Sequence, residues 1–277
     1  MPTMLTRSRR FIYGSLVLVS LFIFTLYRRQ PAPKPLPPMP GTYQYFTEVN
    51  FEYHTKKFGA ISHCDPRFSP PEAPGIVDTR RALSGLLKSF AATMAELNAE
   101  TWIAHGTLLG WYWNQKFLPW DNDIDVQMSV ETLAGLVSNN MTRHSYAIVG
   151  EDAPRVYLLD INPHYKLVST LDVANKIDGR WIDTTNGKYI DITAVHVSGG
   201  KTDNVPFSEG VYFSKDGHNC GREVLYPLRD ENFEGTRVKV PHDPVKLLKA
   251  EYGKSSLSNT RYHWHRFNKA TNLWEPE

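Results

Sequence analysis

HGTLLGWYWNQKFLPWDNDIDVQM, residues 105–128, carries two signals that decide the fold. Its second half alternates polar and apolar residues from Asp123 to Met128, the period of a β-strand. Residues i, i+2 and i+4 of a strand share a face, so Asp121, Asp123 and Asp125 are expected on one side. Ile124 and Val126 are then buried on the other. Carboxylates at steps of ~7 Å repel one another. Such a row is either a solvated acidic loop or a hard-oxygen site for a divalent cation, Mg²⁺ or Mn²⁺. An EF-hand loop starting at Asp121 is excluded, because its sixth position is Val126 and its twelfth is Thr132. A structural zinc site is excluded too, since no Cys/His pairs stand at ligand spacing.

The first half reads as strand, turn and helix. Residues 101–104 form a short strand, His105-Gly106-Thr107 a turn, and residues 108–115 a short helix with an aromatic face. A glycine and a hydroxyl residue between strand and helix set backbone N–H groups where phosphate oxygens bind. His105 either touches that phosphate or caps the strand end. Trp111, Tyr112, Trp113 and Trp120 read as core packing before a stacking surface for a base or sugar. Lys116 and Arg180 are candidate phosphate partners against a default of surface placement. Downstream, Tyr189-Ile190-Asp191-Ile192-Thr193 sets a carboxylate inside an apolar strand, where an unpaired charge is costly. Its alternative is an Asp on a solvent face. Turn, Asp-x-Asp strand and later Asp make the constellation of a metal-dependent nucleotidyltransferase-type site. Its chemistry is in-line displacement at phosphorus.

Working outward, Asp78 or Thr79 caps a helix with Leu83, Leu86, Leu87, Phe90, Met94 and Leu97 on one face. Further strands are expected at 147–149, 156–159, 180–183 and 189–195. A helix over 245–252 closes at Gly253. Strands interspersed with helices predict an α+β domain with a mixed sheet and flanking helices.

These residues resemble the signature of the LicD/fukutin-related phosphotransferases, a Gly-Thr-Leu-Leu-Gly turn followed by Pro-Trp-Asp-x-Asp-x-Asp. Supporting matches are Arg180-Trp181-Ile182-Asp183-Thr184, the Asp191 strand, Tyr226-Pro227-Leu228, Phe233-Glu234-Gly235, Val240-Pro241 and Glu251-Tyr252-Gly253. The Trp-Tyr-Trp-Asn variant and the Ile61-Ser62-His63 lead-in look most like fungal proteins of mannosylphosphate addition. The resemblance covers about residues 60–255. It implies a nucleotidyltransferase-like fold that moves a phosphorylated group from a nucleotide diphosphate donor, such as GDP-mannose, to a glycan hydroxyl on N- or O-linked mannan. By the same resemblance, Asp123, Asp125 and Asp191 are the catalytic metal ligands and Asp121 the extra acid before the pair. Gly106 and Thr107 contact the donor phosphate. The sequence identifies no general base and leaves Asp121 and His105 both open. Some of the fungal proteins are regarded as positive regulators, so a non-catalytic partner in a transferase complex stands as the alternative. A glycosyltransferase with a donor-binding Asp-x-Asp is another.

Charge is split along the chain. Residues 1–40 hold six basic residues and no acid, so of 31 Lys+Arg and 29 Asp+Glu the remainder carries 25 and 29, a formal −4. An acidic body argues against nucleic-acid binding. Residues 11–27, FIYGSLVLVSLFIFTLY, form an uncharged run expected to span a membrane as one N-terminal helix, with residues 1–10 a cytosolic tail. A cleaved signal peptide is disfavoured by the Thr-Leu-Tyr-Arg-Arg ending. Residues 28–59 read as a proline-rich stem, 60–255 as the domain and 256–277 as a tail. Asn140-Met141-Thr142 is a glycosylation sequon. Cys64 and Cys220 pair in an oxidising compartment or stay as buried thiols. Anchor, sequon and cysteines together predict a type II protein of the Golgi or ER membrane with a lumenal domain.

Overall fold

Strand β8, Tyr189–Val197, organises the sheet, because eight of its nine residues are buried. On one flank β7, Gly179–Asp183, pairs with it antiparallel, followed by β6, Arg155–Ile161, and β5, Arg143–Tyr146. On the other flank β4, Ile124–Ser129, runs parallel to β8 and carries the two-residue β3, Trp102–Ile103, on its outer edge. The far end of β8 pairs with β9, Tyr212–Phe213, which pairs with β10, Asn219–Cys220. These eight strands form one mixed sheet, and upstream of it β1, Val49–Phe51, pairs antiparallel with β2, Ile61–Cys64. The computed structural model describes residues 43–51, 61–68, 76–148, 150–200 and 205–277.

Helix α1, Ile76–Glu96, seats Leu83, Leu86, Leu87, Phe90 and Met94 in the main core. Each such buried side chain contributes about 1.5–3 kcal/mol of transfer free energy. Trp181 of β7 reaches the same helix, donating from Nε1 to Ser89 Oγ at 3.0 Å and stacking on Tyr157 at 5.8 Å. On β4 the burial alternates strictly, with Ile124, Val126 and Met128 inward. Helix α2, His105–Asn114, lies between β3 and β4 and packs against β4, and α3, Val130–Leu136, follows β4. Short helix α4, Arg222–Leu225, and a hairpin of β11, Arg229–Phe233, with β12, Thr236–Val240, lead to α5, Pro244–Tyr252. Asp243 caps α5 by accepting from Lys246 N, and Gly253 ends it at φ 78°.

Three expectations change. The α+β class with a mixed sheet and flanking helices is present, whereas the transmembrane helix placed before it finds no counterpart among the described residues, none of whose helices is long and apolar enough to cross a membrane. Residues 11–27 lie outside the described residues. The edge strand falls at Arg143–Tyr146 rather than 147–149. Residues 256–277, read as a tail, fold into a three-stranded antiparallel sheet of β13, Arg261–Tyr262, β14, His265–Asn268, and β15, Leu273–Pro276.

Candidate active site

The parallel register of β4 on β8 sets Asp125 opposite Asp191. One strand further, Arg180 on β7 stands opposite Asp191 and donates from Nε to its Oδ1 at 3.0 Å. The guanidinium also lies 3.7 Å above the Tyr189 ring and donates to the Thr47 carbonyl at 2.7 Å. Asp121 and Asp123 precede β4 and complete the acidic cluster. Helix α2 starts beside them. Thr107 Oγ1 accepts from the Asp125 amide at 3.0 Å, which locks the helix start to the acidic strand. A Cβ on Gly106 would stand 2.9 Å from Asp121 Oδ2, so a side chain there would displace that carboxylate. His105 takes a left-handed backbone, φ 49°, a costly conformation for a histidine at a helix start.

The cluster is electrostatically loaded. Desolvation, the hydrogen bond to Asp123 and the charges of Asp123 and Asp125 push the Asp121 carboxyl well above the usual range. Desolvation does the same to Asp125, helped by Asp123, Asp191 and Glu251 and opposed by His105. Asp191 is raised by burial, with Arg180 pulling it back. Carboxylates that resist ionisation in one cleft are under-neutralised. Oxygen donors are what a hard divalent cation takes, but among the described residues the group of three side chains whose ligand atoms lie within 4.8 Å of one another is His105, His218 and Glu251.

Two histidines flank the acids. His63 Nε2 lies 3.3 Å from Asp123 Oδ2, and its Nδ1 lies 3.6 Å from Glu48. His105 Nδ1 donates to Glu251 Oε1 at 2.7 Å, and its Nε2 lies 3.4 Å from Asp216. Burial disfavours the imidazolium, but the Glu251 bond and the charges of Asp125 and Asp216 outweigh it and bring His105 to about 9. At neutral pH it is a cation beside Asp125. Lys188, buried, donates to the Asn122 carbonyl at 3.3 Å and so holds the acidic loop.

The cleft thus gathers His105, Gly106, Thr107, Asp121, Asp123, Asp125 and Asp191. Arg180 is present but is bound to Asp191 rather than open to a phosphate. Lys116 is not brought in: it lies past the C-terminus of α2, exposed and 3.9 Å from Glu234, while the phosphate-type turn is at the other end. No role follows from sequence for His63 and Glu251, which stand only in family-matching stretches, or for Glu48 and Lys188, which stand in no motif. Asn140 lies exposed in a turn, its Oδ1 accepting from Ile161 N. Cys64 and Cys220 form no disulfide. Cys64 faces Lys188 just before β8, whereas Cys220 reaches the sheet through β9 at His196 and Val197. The length of β8 separates them, about 25 Å at ~3.3 Å per residue, against the ~7 Å a disulfide tolerates. Trp111 packs on the core, while Trp113 and Trp120 line a cavity beside Asp121.

Comparison with known proteins agrees with this geometry. The family described as LicD/FKTN/FKRP, nucleotidyltransferase domain, matches residues 98–243, 146 of the 277 residues. Mannosyltransferase regulator 4 of Saccharomyces cerevisiae is 33% identical over 117 residues, covering 41% of this chain and 10% of that protein. Mannosyltransferase regulator 14 of the same yeast is 32% identical over 120 residues, covering 42% and 12%. The chain therefore aligns with only about a tenth of each relative's length. All the clustered acids, from Asp121 to Asp191, fall inside the matched family segment.

Proposed function

Because the chain belongs to the LicD/FKTN/FKRP nucleotidyltransferase-domain family, we propose that its acidic cleft transfers a sugar phosphate from a nucleotide diphosphate donor to a glycan hydroxyl. The observation that carries this reading is the convergence of Asp125 and Asp191, in register, with Asp121, Asp123 and the helix start at Gly106-Thr107. Asp123, Asp125, Asp191 and Asp121 would hold Mg²⁺ or Mn²⁺, which when bound neutralises charge on the phosphoryl group. The amides at the start of α2 receive phosphate oxygens, as helix N-termini do. His105, a cation at neutral pH, adds positive charge on that side. Arg180 positions Asp191 and opposes the burial that raises it.

The acceptor hydroxyl attacks the donor's β-phosphorus, the bond from that phosphorus to the α–β bridging oxygen breaks, and the nucleoside monophosphate leaves. The hydroxyl proton passes to a carboxylate. Asp121 is placed for that role, its Oδ2 lying beside Gly106 at the helix start that receives the phosphate. His105, already protonated, does not accept it. GDP-mannose is the proposed donor, supported by the mannosyl chemistry in the relatives' names. The Golgi or ER lumen is the proposed compartment, supported by the exposed sequon at Asn140.

The relatives are named regulators, which favours a second reading: a partner that keeps the fold and assists another transferase. Asp123→Asn in cells separates the two. An enzyme loses its effect on glycan phosphate content, whereas a scaffold of equal abundance retains it.

A further inference from the structure

We infer that the cavity beside Asp121 is an acceptor subsite for neutral sugar rings of a glycan, built by the C-terminal sheet; this rests on the phosphotransfer reading above. The cavity holds about 360 Å³ and shares Gly106 and Asp121 with the acidic cleft. Its aromatic walls are Trp113, Trp120, Tyr262 and Trp274. Three observations select the occupant.

The first is charge. No Lys or Arg lines the cavity among the described residues, and Asp121 is its acid. A nucleoside diphosphate needs cationic partners for its phosphates. A neutral sugar does not, and its apolar C–H face suits aromatic rings while its hydroxyls suit a polar edge.

The second is an orphan donor. Trp274, 7% exposed, has its indole N–H buried with no hydrogen-bond partner. Buried donors in native proteins are nearly always satisfied. A hydroxyl oxygen of a bound sugar would accept from it, and the neighbouring Trp113 shows the satisfied case by donating to the Ser256 carbonyl at 3.0 Å.

The third is a strained platform. Tyr262 pairs with His265, so His263 and Trp264 form a two-residue hairpin turn with φ of 46° and 62°. Turns of that kind favour Asn-Gly, and a bulky residue there costs about 1–3 kcal/mol. What the strain secures is placement: the His263 ring lies near-parallel to Trp120 at 5.9 Å, and Tyr262 meets Trp120 edge-on at 5.3 Å. Tyr262 is 55% exposed and Trp264 74%. Aromatic surface therefore continues from the cavity to solvent, as a chain longer than one ring requires. The matched family segment ends at residue 243, so Tyr262, His263 and Trp274 lie outside it and would set acceptor choice beside the matched domain.

The test titrates the full chain with an α-linked mannose tetrasaccharide, without donor or metal, read by saturation-transfer NMR and tryptophan fluorescence. Binding is expected to weaken about tenfold, roughly 1.4 kcal/mol, in Tyr262→Ala. His263→Gly, which suits the left-handed backbone while removing the ring, should weaken it similarly, with thermal unfolding verifying both folds. GMP should not displace the saccharide. No saturation transfer from the wild-type chain to the saccharide, unchanged affinity in both variants, or displacement by GMP would each overturn the subsite. Failure of the phosphotransfer reading is distinct: the chain would bind saccharide through Tyr262 yet release no GMP from GDP-mannose.

Discussion

Asp125 on β4 faces Asp191 on β8 across a parallel strand pair, with the charges of Asp123 and Glu251 also acting on Asp125. Without a cation this arrangement opposes folding. A carboxyl whose folded pKa is raised contributes stability that is fully present below its unfolded value, 3.8, and lost as pH rises through the folded value. Asp125→Asn should therefore stabilise the metal-free protein at pH 7 by about 1–2 kcal/mol, with little gain at pH 4. Mn²⁺ at a hundred times its Kd should stabilise the wild type by about 2.7 kcal/mol and the variant far less. Urea denaturation at both pH values, with EDTA or Mn²⁺, checks this. An equal Mn²⁺ response in the two proteins would remove Asp125 from the cation site.

His105 and Glu251 join the start of α2 to α5 through a 2.7 Å bond. The histidine is raised from 6.5 to about 9, so its contribution is complete below pH 6.5 and disappears as pH rises through about 9. The difference in unfolding free energy between wild type and His105→Gln should be on the order of 1–3 kcal/mol at pH 6 and near zero at pH 10. A difference independent of pH would mean the imidazole acts by packing alone.

Gly106→Ala separates geometry from folding. The residue is not in the left-handed region, so alanine is tolerated by the backbone, but its Cβ would press on Asp121 Oδ2 at 2.9 Å. Thermal stability should change by under about 1 kcal/mol while turnover falls on the order of a hundredfold, as small misplacements of catalytic groups do. Unaltered turnover would show that Asp121 is free to shift.

Arg180→Met leaves Asp191 buried without its partner. Breaking a buried ion pair from one side costs about 3–5 kcal/mol. Loss of the Tyr189 stacking and of the Thr47 bond adds to it. Chemical denaturation should show the loss, and Asp191→Asn in the same background should recover part of it. No recovery would assign the cost to the Tyr189 stacking and the Thr47 bond.

How far the sequence could be read follows from where each constraint lies. Asp125 and Asp191 are legible because each interrupts apolar residues at a period of two, whereas the register that sets them opposite appears only once β4 and β8 are paired. The start of α2 was read as a turn because nothing local announces that His105 enters the helix at φ 49°. That conformation is held by Glu251, 146 positions away. Strand β5 lacks an apolar run, with alternately exposed and half-buried Arg143, His144, Ser145 and Tyr146, so pattern pointed instead to the more apolar residues after it. Arg180 looked like a phosphate ligand because its cross-strand partner, Asp191, appears only once β7 and β8 are paired. The C-terminal sheet was missed for a similar reason. Its strands are two to four residues long, and its order comes from Trp274 packing on Trp113 and Trp120.

The most direct measurement of the central claim incubates the protein with Mn²⁺, GDP-mannose and a mannose oligosaccharide and identifies the released nucleotide by chromatography. Asp123→Asn serves as the control. Phosphosugar transfer breaks the diphosphate, so the expected product is GMP, absent in the variant. Release of GDP would mean that the sugar–phosphate bond breaks instead, and would contradict the phosphotransfer reading in favour of glycosyl transfer.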